Sequence, residues 1–278
     1  MQVQVTTDGA DGTCEDLAGH AGDCAWVLDG ASGAVRAGVT DAPSDGRWYV
    51  EQLNDFLRAN CDASTPLPEV LRRGVETVAG RFLELPGASD LDRVEQPLAA
   101  GAVVREREGH VEFLLSADCS IAVQRPSGAV EPILGDGPRE LDARVLDAIR
   151  RLEREDGLTH EEARDRTREA IVDNRRQLNT PGGYWALSLT SRAVDHARGS
   201  TLDVEDVERI ALFSDGLERL FESYDAMSYE SLFEFAAGGN LDRPFELLRE
   251  VEASDPNCST HPRIKPSDDA ALAVVEFE

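Results

Sequence analysis

Four aspartates stand where apolar segments stop or start. Val27-Leu28 runs into Asp29-Gly30, and Leu212-Phe213 into Ser214-Asp215-Gly216. Leu114-Leu115-Ser116-Ala117 runs into Asp118-Cys119, and Pro266-Ser267-Asp268-Asp269 opens the apolar run 270–278. Any one of these has a plain explanation, since Asp and Gly favour turns. Four of them are a different matter if the strands are neighbours, because their ends then converge and the carboxylates crowd. Like charges a few Å apart do not all stay ionised without a counter-ion. Hard divalent cations take oxygen ligands, so the pattern points to a carboxylate centre for Mg²⁺ or Mn²⁺ with no His or Cys ligand.

Other chemistries find less support. The five histidines lack HxxxH spacing, and the five cysteines are odd in number, widely spaced and without a CxxC pair. That argues against a zinc site and against a disulfide framework, and it suits a reduced, cytoplasmic setting. Gly-rich nucleotide loops and a GxSxG nucleophile elbow are lacking. No apolar run approaches the roughly 18 residues that span a bilayer, and the opening MQVQVTTDGADG does not read as a secretory signal.

Charge narrows the partners. Asp plus Glu number 54 against 28 Lys plus Arg, a formal net charge of −26, and Lys265 is the only lysine. Such a surface repels nucleic acid and anionic membrane. With 41% hydrophobic residues, an acidic shell on a folded protein is the better reading than disorder. It suits a halophilic host, where a Debye length of about 3 Å at 1 M salt quenches self-repulsion.

The elements that must position the acids follow from periodicity. A buried strand over 25–28 is followed by a helix over 45–60 and a second one opening at Pro68. Strands are expected over 99–105, 111–117, 120–124 and 130–134. A helix bearing Leu141, Val145, Leu146, Ile149 and Leu152 comes next. Another is capped by Thr159 and Glu162 and runs to about 179. The apolar stretch 184–189, a strand over 210–213, short helices near 229–237 and 243–252, and a last strand over 270–278 complete the chain. No repeat or long linker divides it, so a single domain over 1–278 of class α+β is expected.

In order and spacing these motifs resemble the protein phosphatase 2C family. Its early Asp-Gly element is similar to Val27-Leu28-Asp29-Gly30-Ala31-Ser32-Gly33, and its Gly-Asp-Ser element to Ala117-Asp118-Cys119-Ser120. Its Ser-Asp-Gly element stands as Ser214-Asp215-Gly216, and its terminal element resembles Asp268-Asp269-Ala270-Ala271. The resemblance spans about residues 20–278. It implies a four-layer α-β-β-α sandwich of two antiparallel sheets flanked by helices. It further implies two Mg²⁺ or Mn²⁺ ions, with Asp118 helping a third. Asp29 would bridge both ions, the Gly30 carbonyl would bind one, and Asp215 and Asp268 would ligate the other. Through the water they activate, Asp29, Asp215 and Asp268 would carry the catalysis, a hydrolysis of phosphoserine or phosphothreonine in proteins by a monomer.

The opening element departs from the family. An Arg shortly before a Glu-Asp pair is expected there, and the stretch matched to it is Gly19-His20-Ala21-Gly22-Asp23-Cys24. Asp23 would then serve the outer shell of the metals, with His20 or Arg36 taking the substrate phosphate. Loss of that Arg and of the second acid motivates a rival expectation, an inactive phosphatase-fold protein that binds or regulates.

Overall fold

In a strand buried on both faces, both alternating sets of side chains must be apolar. The segments Cys24–Ala31, Leu98–Arg107, Arg209–Phe213 and Ala270–Glu276 come closest to this condition. In the computed structural model, which describes residues 1–10, 12–34, 38–61 and 64–277, these four are inner strands of two sheets. Strands β1 (Gln2–Asp8), β2 (Asp16–Ala21) and β3 (Cys24–Ala31) open the fold, followed by α1 (Asp45–Asn60) and α2 (Leu67–Leu83). Strands β4 (Leu98–Arg107), β5 (His110–Ser116), β6 (Ser120–Gln124) and β7 (Val130–Ile133) come next. They lead to α3 (Arg139–Asp156), α4 (His160–Arg166) and α5 (Arg168–Arg176). Then follow β8 (Arg198–Asp203), β9 (Arg209–Phe213), α6 (Asp215–Glu222), α7 (Tyr229–Ala237), α8 (Asp242–Ser254) and β10 (Ala270–Glu276). The first sheet has the order β2-β3-β4-β5-β8 and the second β1-β10-β9-β6-β7, every pair antiparallel.

Alternation along the inner strands sorts the side chains into layers. Ala25, Val27, Ala102 and Val104 meet Ile210, Leu212, Ala273 and Val275 between the sheets. The opposite face of the first sheet, with Trp26, Leu28 and Val103, is covered by Tyr49, Leu53 and Leu57 of α1 and Val70, Leu71 and Val75 of α2. Ala211, Phe213, Leu272 and Val274 of the second sheet meet Leu217, Leu220, Phe233 and Leu248 of the last three helices. The result is the expected helix-sheet-sheet-helix sandwich. Helices α3, α4 and α5 form a separate unit with its own small core of Val145, Ile149 and Ala163, packed on Ile264.

Local expectations fare unevenly. Helix α1 spans the expected 45–60, started by the Ser44 hydroxyl, which accepts from the Arg47 N–H at 3.1 Å. The Thr159–Glu162 capping box forms, but the helix it opens does not run to 179. Thr167 interrupts it: its hydroxyl donates to the Arg164 carbonyl at 2.9 Å, and the backbone there leaves helical geometry. The apolar stretch 184–189 meets the sheet through the Ala99–Leu187 bridge. Strands β1, β2 and β8 lack a continuous apolar run, so apolar periodicity does not predict them.

The cysteines depart from expectation as well. Cys24, at the start of β3, is disulfide-bonded to Cys61, just past α1, with a Cα–Cα distance of 6.3 Å. An odd, scattered set excludes a dense framework but not one long-range link. That link closes 37 residues of sequence, so reduction should lower stability by about 4 kcal/mol through unfolded-chain entropy. A lower denaturation midpoint with reductant, absent in Cys61→Ser, is the expected result.

Candidate metal centre

Antiparallel pairing decides which acids meet. Strand β2 runs back along β3 with Asp16 opposite Asp29 and Ala21 opposite Cys24. In the other sheet β9 ends at Phe213, which lies opposite both Ser120, the first residue of β6, and Leu272 in β10. Asp118, Asp215 and Asp268 therefore flank strand ends on one rim. With Asp16 and Asp29 from the first sheet, they line a cavity of about 180 Å³. Ser214 joins the sheets there: its hydroxyl accepts from the Ala271 N–H at 2.9 Å and hydrogen-bonds Asp16.

The glycines of the two Asp-Gly steps do more than turn the chain. A Cβ on Gly216 would lie 1.9 Å from the Asp269 carbonyl oxygen, and one on Gly30 would lie 2.6 Å from that of Glu15. Each glycine lets a neighbouring segment approach, and so brings Asp269 and Glu15 to the cavity. Glu15 is further fixed by the Ser32 and Ser44 hydroxyls, the latter at 2.5 Å. Asp269 accepts from the Ala10 and Glu15 N–H groups at 2.9 and 2.8 Å, which ties the N-terminal segment to the rim.

Electrostatics divide the cluster. Burial and the charges of Asp268, Asp215 and Asp269 raise the Asp16 carboxyl well above its ordinary range, against a Ser214 hydrogen bond that lowers it. Burial, with Asp16, Asp215 and Asp118, does the same to Asp29. Burial and Asp215 push Asp118 up to about 7, and Asp142 on α3 up to about 6. Asp268 differs. Burial opposes its ionisation, yet Lys265 and Arg219 hold it below the usual range. Arg219 donates to Asp268 Oδ2 at 2.6 Å and Lys265 Nζ to Oδ1 at 2.8 Å, while Asp215 lies 3.8 Å from the same guanidinium.

These residues fit a hard divalent cation at one end of the cluster. Asp16 is 2% exposed and its Oδ2 has no hydrogen-bond partner, a cost that a cation would remove. The donors there are all oxygens, and among the described residues Asp16 and Asp29 form no ion pair with a cation. At the other end Asp268 already has two. Among the described residues no three His, Cys, Asp or Glu side chains stand ready-made around one ion. Arg219→Gln should therefore increase the amount of Mn²⁺ bound in a calorimetric titration. It should also destabilise the metal-free protein by about 2 kcal/mol, less than for a wholly buried pair because Lys265 remains.

Solved structures with the same architecture have known names. Over 100% of this chain and 98% of its own, the Mycobacterium tuberculosis serine/threonine phosphatase PstP/Ppp superposes with a TM-score of 0.59 at 15% identity. Serine/threonine phosphatase Stp1 from Staphylococcus aureus gives 0.57 at 14% identity, covering 100% and 95%. This is the protein phosphatase 2C fold. A PstP catalytic domain in complex with two manganese ions gives 0.56 at 15%, covering 99% and 97%. No family model and no curated protein matches the chain.

Within this phosphatase 2C fold the expected site residues separate. Asp29, Gly30, Asp118, Asp215 and Asp268 line one cavity. Asp23 and His20 do not reach it, which corrects their expected roles. Asp23 is exposed at the β2–β3 turn, six residues before Asp29, or about 20 Å at strand rise. His20 is exposed opposite Ala25, near the same turn. Arg36 lies outside the described residues. The acids missed are Glu15, Asp16 and Asp269. Glu15-Asp16 is the only Glu-Asp pair in the N-terminal third, and recognising β2 as the hairpin partner of β3 would have found it. Lys265, the lone lysine, also lines the cavity.

A cysteine nucleophile is opposed by geometry. Cys119 and Arg125 have CxxxxxR spacing, but strand β6 lies between them, Cys119 is fully buried, and Arg125 pairs with Glu131 at 2.9 Å. Burial and the neighbouring aspartates raise the thiol pKa further.

Proposed function

We propose that this protein is a phosphomonoester hydrolase dependent on Mg²⁺ or Mn²⁺, acting on phosphoserine or phosphothreonine in proteins. The observation that carries the reading is the buried, unpartnered Asp16 Oδ2 beside Asp29 in a cluster of carboxylates short of positive charge. Asp16, Asp29 and the Gly30 carbonyl, with Glu15 near, would hold the first ion. Asp215 and Asp268 would serve a second, with Asp118 at its edge. Bound there, such ions supply a water of lowered pKa and neutralise charge on a phosphoryl group. The chain's own part is to orient. Ser32 and Ser44 fix Glu15, and Ser214 fixes Asp16 while tying the two sheets together. Cys119 and the serines of the site are not needed as nucleophiles.

One observation favours a second reading. Because Arg219 and Lys265 occupy both oxygens of Asp268, the chain would be a weak or inactive phosphatase-fold protein that binds phosphoprotein. Hydrolysis of p-nitrophenyl phosphate and a phosphothreonine peptide, with Mn²⁺ or with EDTA, separates the two. Mn²⁺-dependent turnover is expected; folded protein that binds Mn²⁺ without turnover overturns the enzyme reading. We read the protein as a single-domain monomer. The described helices include none long and apolar enough to cross a membrane. A cytoplasmic setting is opposed only by the Cys24–Cys61 link.

A further inference from the structure

A phosphate monoester entering this cavity meets a wall of carboxylates, so some side chain must offer it positive charge. Lys265 and Arg219 are committed to Asp268, and Arg139 to Glu218 at 2.6 Å. Arg175, near the end of α5, also lines the cavity. Its Nη2 donates to the carbonyls of Ala31, Ser32 and Gln96 at 3.4, 3.3 and 2.9 Å. These bonds hold the guanidinium beside the end of β3, two residues beyond Asp29. Its Nε is buried with no hydrogen-bond partner. Among the described residues it forms no ion pair with a carboxylate. Glu15 acts on it only over a longer distance, and Tyr184 supplies a neutral hydrogen bond.

We propose that Arg175 is the residue that receives the substrate's phosphoryl group. A half-buried guanidinium without a counter-ion is costly, and a phosphate dianion is the partner that its planar fork fits. Carbonyl bonds to one nitrogen fix the position while leaving the other donors for phosphate oxygens. Delivery from α5 also makes the helical unit α3–α5 part of the substrate site. Tyr184, on the loop after α5, lies on the same wall and steers the guanidinium. The ligand class is a phosphate monoester or inorganic phosphate, and the inference rests on the phosphatase reading for its physiological meaning.

The test is inorganic phosphate binding by calorimetry with Mg²⁺ present, in the full chain, for wild type, Arg175→Ala and Arg175→Lys. Mn²⁺ affinity and denaturation midpoints are measured alongside. Wild type is expected to bind phosphate, and Arg175→Ala to bind it about tenfold more weakly, the size of one charge-assisted hydrogen bond. The KM for p-nitrophenyl phosphate should rise by a similar factor with a smaller change in kcat, and Mn²⁺ affinity should stay within about twofold. Lysine keeps a charge and a donor for the carbonyls but loses the fork, so Arg175→Lys should fold and still bind phosphate several-fold more weakly. It decides the matter if the alanine variant unfolds. Unchanged phosphate affinity in folded Arg175→Lys, or no phosphate binding by wild type, overturns the proposal. Arg175-dependent phosphate binding without turnover supports it and sinks only the enzyme reading; Mn²⁺-dependent turnover with unchanged KM does the reverse.

Discussion

Replacing Asp29 by asparagine is expected to abolish Mn²⁺-dependent turnover, by about 10³-fold or more, while raising the denaturation midpoint of chelator-treated protein. The two effects have one cause. Asp29 sits in packed surroundings beside Asp16, Asp215 and Asp118, so its ionised form is disfavoured in the folded metal-free chain. Removing that charge relieves the folded state, at about 2–4 °C of midpoint for each kcal/mol. In the proposed metal site the same carboxylate would be a ligand, and a neutral amide there would lose both charge and affinity. Activity and metal-free stability should therefore move in opposite directions, which unfolding of the variant would not produce. A stabilised variant with undiminished turnover would sink Asp29 as the central ligand.

Without metal, stability should fall as pH rises from about 5 to 8. Asp16, Asp29, Asp118 and Asp142 all have carboxyls raised in the folded state, Asp118 to about 7 and Asp142 to about 6, from a starting value of 3.8. Between the unfolded and folded values the native chain binds more protons than the unfolded one. The slope of unfolding free energy with pH is therefore negative across that window. The contribution of Asp118 and Asp142 is complete below about pH 4 and is lost as pH rises through about 6 and 7, and the raised carboxyls of Asp16 and Asp29 act in the same direction. Asp268 and Asp255, both lowered, act in the opposite sense and lose stability only in acid. A midpoint maximum near pH 5 is expected by calorimetry. Mn²⁺ at 100 times its Kd should add about 2.7 kcal/mol and remove the decline, since metal ligands must be deprotonated. A profile flat from pH 5 to 8 without metal would show that these carboxylates are not crowded.

Much of the fold was legible because burial on two faces writes itself as apolar runs. Strands β3, β4, β5, β9 and β10 each belong to the sandwich core, and each stood out in the sequence. Strands β1, β2 and β8 lie at sheet edges and carry partly exposed residues, so they left no such trace. The loss of β2 cost more than one strand, because it removed the hairpin register that sets Asp16 opposite Asp29 and Asp23 at the turn. The acid expected at Asp23 is therefore replaced at the cavity by Asp16, seven residues earlier in the chain.

The sequence by itself determined that carboxylates stop the core strands, that the oxygen donors suit a hard cation, and that the layers are mixed α and β. Composition and apolar period carry that information locally. Only tertiary structure decided which acids converge, since register and sheet order join residues as far apart as Glu15 and Asp269. The distribution of counter-charge was also settled there: Arg219 and Lys265 fold onto Asp268, while Arg175 reaches the cavity from α5 held by backbone carbonyls. Charge compensation is a property of distances within a few Å, and no spacing along the chain encodes it.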